Sequence, residues 1–140
     1  MARGLTMTQP SRPHTVTLTI TSLLSILLMG FHFTDDIVRG IDPGKIATVG
    51  GVLILVAGLC GTLVLAERRS GYVIILLFSI LGFAISIVHM RGAGLVGGRI
   101  ANSSGVFFWV WTLLTLGVTS LFSAILAARG LWRLQRGQSP

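Results

Sequence analysis

Four stretches without a single Asp, Glu, Lys or Arg constrain this chain more than anything else in it: residues 15–34, 46–66, 71–90 and 100–128. An α-helix rises 1.5 Å per residue, so about 20 apolar residues cross a hydrocarbon core of about 30 Å. Each stretch meets that length. The last is longer than one crossing requires, and its opening Ala101-Asn102-Ser103-Ser104-Gly105 reads as loop and cap, so its helix is expected to begin near Gly105. Only 11% of the 140 residues are charged, against about 25% in a soluble domain. The expected fold is an all-α membrane protein, an antiparallel up-down-up-down four-helix transmembrane bundle. Its expected spans are residues 14–39, 43–66, 71–91 and 105–129, forming one integral membrane domain over 1–140.

Competing readings of the same residues fit less well. A cleaved signal peptide would use Arg3 and Arg12 as its basic region. However, the apolar part exceeds a core of about 7–15 residues, and no small-x-small site follows in Phe31-His32-Phe33-Thr34-Asp35-Asp36. Alternation suited to a β-barrel is confined to residues 15–21. The single cysteine, Cys60, excludes a disulfide framework and any multi-cysteine metal site; it reads as an inert filler near mid-membrane.

Basic residues orient the spans. With a cytoplasmic N-terminus, that side holds Arg3, Arg12, Arg68, Arg69, Arg129, Arg133 and Arg136, while the other holds Arg39, Lys45, Arg91 and Arg99. The positive-inside rule then puts both termini in the cytoplasm. The net charge of +7 is membrane-flank charge, with Arg129, Arg133 and Arg136 anchoring on anionic lipid around Trp132. It forms no compact face for nucleic acid. Ten arginines to one lysine go with a GC-rich bacterial host, so the expected location is a bacterial inner membrane.

Turn chemistry agrees with four helices. Gly40 closes the first, with Arg39 in its last turn, and Asp42-Pro43 reads as the N-cap and first residue of the second. Glu67-Arg68-Arg69-Ser70-Gly71 is a short polar hairpin. The glycine-rich segment 92–98 spells GxGxxG, but a membrane span precedes it where a dinucleotide site needs a strand. Arg91 and Arg99 around it suit an anionic ligand or lipid headgroup. Asn102-Ser103-Ser104 matches a glycosylation sequon.

Small and polar residues mark the faces that pack, because lipid tails give helices no hydrophobic drive to associate. In span two, Ala47, Gly51 and Gly58 share one side, and Ala57 and Gly61 another; they serve packing inside the bundle or a homo-oligomer. Hydroxyl stripes run through Thr21 and Ser25, through Ser79, Gly82 and Ser86, and through Thr112, Thr115, Thr119 and Ser123. Taken alone, such hydroxyls bond the carbonyl four residues back and carry no function. Trp109, Trp111, Phe107 and Phe108 are expected in the interfacial aromatic belt.

One ionisable cluster stands out. His32, Asp35 and Asp36 share one face of the first helix, Arg39 follows one turn later, and His89 ends span three on the same side of the membrane, next to Arg91. Ionisable groups within spans turn away from lipid. The candidate ligand-binding set is therefore His32, Asp35, Asp36, Arg39, His89 and Arg91, with His32, Asp36 and His89 as ligands for a divalent metal. Asp35 with Arg39 also makes an ordinary i,i+4 pair. Haem between His32 and His89 is disfavoured, because counting from the span ends leaves them about 3–6 Å apart in depth.

The leading expectation is a small binding or interaction subunit, in contact with membrane lipid and with a protein partner or a second copy. A membrane-embedded metal-dependent enzyme using His32, Asp35, Asp36 and His89 is the alternative. A small transporter subunit comes third, since no carboxylate lies near mid-membrane to couple ion movement.

Overall fold

The computed structural model describes residues 13–40, 44–91 and 104–137. It is all-α: α1 (Pro13–Val38), α2 (Lys45–Leu59), α3 (Arg69–Arg91) and α4 (Val106–Gln135), with α2 continuing into a π-helical turn (Cys60–Val64). All four helices are long and apolar enough to cross a membrane, and they pack as an up-down-up-down bundle. We call the end that holds Val38 and Arg91 the histidine end and the opposite one the hairpin end. The fourth helix runs six residues past the expected 129, carrying Trp132 into a stack under the Arg136 guanidinium, 3.9 Å away.

Glycine conformation sets the helix limits at two places. Gly40, at φ +67°, ends α1, and Gly105, at φ +78°, precedes α4. The expected cap Asp42-Pro43 lies outside the described residues, as do Arg3, Arg12, segment 92–98, Arg99 and Asn102-Ser103; α2 begins directly after Gly44. At the hairpin, a side chain on Gly71 would collide with the carbonyl of Leu65, so α3 enters the bundle where only glycine fits.

The main packing seam joins α3 to α4. On α3, Tyr72, Ile75, Ser79, Gly82, Ser86 and His89 recur at alternating steps of three and four. On α4, Trp109, Leu113, Leu116, Ser120, Ser123, Ala127 and Gly130 do the same, and all but His89 are buried. That rhythm averages 3.5 residues, the heptad spacing that turns knobs into holes. Large faces small along it: the Tyr72 ring lies on Gly130, Ser120 Oγ points to the Cα of Gly82, and Ser86 sits against Gly117. Ser86 also donates to the Leu113 carbonyl at 2.9 Å.

The second helix belongs to this core at one end only. Gly58 meets Phe78 and Ile26, Gly61 meets Ile74, and Gly51 meets Phe33, so these three glycines pack within the bundle. Ala47, Ala57 and Cys60 are exposed on its surface. The π-turn rotates Gly61 and Thr62 inward, where both are buried. Thr62 Oγ1 gives its proton to the Gly58 carbonyl at 2.8 Å. The 2.7 Å contact with Ser22 is therefore donated by Ser22. Thr21, Ser25, Thr34, Thr115 and Thr119 turn back on their own helix, each bonding the carbonyl four residues earlier, whereas Ser79, Ser120 and Ser123 are buried without a hydrogen-bond partner. Of the expected fourth-span stripe, Thr112 and Ser123 are buried but Thr115 and Thr119 only half so; Ser120 takes the central place instead.

A candidate metal centre at the histidine end

Antiparallel packing brings the last turns of α1 and α3 level with the first turn of α4. His32 and Asp36 lie four residues apart on α1 and so share a face. Asp36 is held between three neighbours. Its Oδ1 accepts a hydrogen bond from Trp109 Nε1 at 3.1 Å, which leaves Oδ2 turned to His32 Nε2 at 3.3 Å and His89 Nε2 at 3.9 Å. The two imidazoles meet edge to face with centroids 5.0 Å apart, and the Trp109 ring closes over both, at 5.6 and 5.9 Å.

Donor bookkeeping shows what is missing. His89 Nδ1 lies 2.9 Å from the Ile85 carbonyl. A carbonyl only accepts, so Nδ1 carries the hydrogen in that contact and Nε2 is the ring nitrogen turned to Asp36. Nε2 and the Asp36 carboxylate oxygen stand 3.9 Å apart, and both are atoms that bind a metal ion. His32 is only 2% exposed; its Nε2 pairs with Asp36 Oδ2 at 3.3 Å, and neither ring nitrogen completes a hydrogen bond. A buried imidazole without partners costs free energy unless something binds it.

The donor set fits a divalent transition metal. One ligand atom from each of His32, Asp36 and His89 lies within 4.8 Å of the other two. A tetrahedral ion with bonds of about 2.0–2.1 Å holds its donors about 3.4 Å apart, so the widest of these separations exceeds that ideal by up to about 1.4 Å. Among the described residues, this is the one place where three His, Cys, Asp or Glu side chains converge so closely. The surroundings also match what metal ligands need. A histidine ligand ordinarily donates its other N–H to a carbonyl, and a ligating carboxylate is itself hydrogen-bonded; Ile85 and Trp109 supply those two contacts.

The other expected site residues stand apart from this triad. Asp35 pairs with Arg39, Oδ2 to Nε at 2.7 Å. Arg39 Nη2 also reaches the Ser104 carbonyl at 3.1 Å, tying the end of α1 to the start of α4. Arg91 is the last residue of α3, and its side chain lies outside the described residues. Two expectations need correction. Trp109 is not a belt residue: it is 2% exposed and faces the histidines, whereas Phe107, Phe108 and Trp111 do face outward. The depth mismatch between His32 and His89 does not exist either, since their rings touch; that same contact leaves no slot for a porphyrin between them.

No protein-family model, curated protein or solved structure matches the chain.

Proposed function

We propose that this multi-pass membrane protein binds one divalent transition-metal ion at the histidine end of its bundle, through His32 and His89 nitrogens and Asp36 Oδ2. The observation that carries this reading is the convergence of one ligand atom each from His32, Asp36 and His89 to within 4.8 Å of one another. Two imidazoles and one carboxylate favour ions such as Zn²⁺ or Fe²⁺ over Mg²⁺ or Ca²⁺, which prefer all-oxygen shells. The distribution of arginines supports cytoplasmic termini and a site on the far side of an inner membrane.

Three protein donors leave coordination positions for water or another molecule, as in catalytic rather than closed structural sites. That feature supports a second reading, a metal-dependent membrane enzyme. The deciding experiment is metal analysis and titration of detergent-purified protein with Zn²⁺, Mn²⁺ and Fe²⁺. One ion bound per chain, lost in His32→Ala and Asp36→Asn while the helical signal persists, is the expected result. Binding that survives both substitutions removes the proposal.

A further inference from the structure

Beyond the metal centre, the α1–α2 interface contains a groove built for a hydrocarbon chain. On the histidine-end side of the Ser22–Thr62 contact, α1 and α2 line an open cavity of about 690 Å³. Its walls include Leu27, Gly30, Phe33 and Ile37 of α1 and Val52 and Leu55 of α2. Both hydroxyls on the lining, Thr34 and Thr48, bond carbonyls of their own helices, Gly30 and Gly44. The surface offered is therefore apolar. A side chain at Gly30 would meet nothing within 4 Å, so the glycine adds width to the groove.

Dimensions select the occupant. From Leu23 to Ile37 the groove follows α1 for about 21 Å at 1.5 Å per residue. Its lining runs from Leu23 and Leu59, near the middle of the span, to Ile37 and Thr48 by the histidine-end rim. A partner helix would use the whole membrane thickness; a lipid tail uses one leaflet, about 15 Å of hydrocarbon. Lys45, exposed and one turn before Thr48 on the same face of α2, stands at the mouth, where a headgroup phosphate would lie.

We propose that this groove holds one acyl chain of a phospholipid from the histidine-end leaflet as a resident ligand. The lipid lies on the opposite side of α1 from His32, so occupancy does not depend on metal.

The test reconstitutes the full chain in phospholipid carrying a photoreactive acyl chain, cross-links it and maps the modified peptides by mass spectrometry. Label concentrated on residues 23–37 and 48–59, and lost in Gly30→Leu, is the expected result; leucine is a good helix former that fills the groove without adding a polar group. Label spread equally over the lipid-facing residues of α4, such as Val118, Leu121 and Phe122, would mean ordinary solvating lipid and overturn the proposal. A cross-linked species of twice the chain mass would assign the groove to a second copy, which also overturns it. Metal titration of Gly30→Leu, expected to match the unaltered protein, keeps this outcome separate from that of the metal centre.

Discussion

The indole N–H of Trp109 donates to Asp36 Oδ1 at 3.1 Å across 73 residues of sequence, and this bond aims the other carboxylate oxygen at two histidines. It makes Trp109 a positioning residue for the metal centre rather than a ligand. Trp109→Phe keeps an aromatic ring over the imidazoles and removes only the donor. The expected outcome is metal affinity lower by about 10–100-fold, the usual cost of losing an outer contact to a ligand. Competition titration with a chelator of known affinity measures it. An unchanged affinity would mean that Asp36 needs no such support.

Metal binding should weaken as the pH falls. The bound state requires both imidazoles neutral at the ligating nitrogen and the Asp36 carboxylate ionised, so protons compete with the ion and binding releases them. Isothermal titration in buffers of different ionisation enthalpy detects the released protons. Proton release that is absent, or equal in His32→Ala, would contradict the assigned ligands.

The α3–α4 seam predicts how individual glycines respond. In Gly82→Ala the new methyl falls 2.5 Å from Ser120 Oγ, an overpacking that costs about 1–3 kcal/mol. Adding Ser120→Gly should recover most of the loss, because the collision is between those two side chains. Gly30→Ala, with open space around it, should instead stabilise by up to about 1 kcal/mol through helix propensity. Unfolding in mixed micelles followed by circular dichroism reads all three.

Ser22→Ala removes the hydrogen bond that Ser22 donates to Thr62. Interhelical bonds of this kind average about 0.6 kcal/mol in membrane proteins. The loss of stability, read by unfolding in mixed micelles, should therefore be small. An unchanged stability would show that glycine packing alone fixes that end.

Much of this architecture is legible in the residues themselves. Uncharged runs set the four crossings, because a charge inside hydrocarbon is costly wherever the helix lies. The face shared by His32 and Asp36 follows from helical spacing alone. What counting could not supply is relative height. Measuring His32 and His89 from the ends of their apolar runs assumes that helices stop at a common level, whereas α1 continues beyond His32 for a further turn and a half. Trp109 is hidden for a different reason, since an aromatic near a span end ordinarily faces the interface. Its membership of the 109, 113, 116, 120, 123 rhythm on α4 is the signal that turns it inward. The π-turn at Cys60 has no such mark; it arises from how Thr62 and Gly61 meet α1 and α3.

Tyr72 seated on Gly130 acts as a depth stop for α3. The two residues lock the sliding position of α3 along α4 at the hairpin end, and a rigid rod carries that setting about 26 Å to His89 at helical rise. The height at which His89 meets Asp36 is thus fixed from the far face of the bilayer. Swapping bulk for bulk at the lower stop, with no change near the ion, would retune the grip on it.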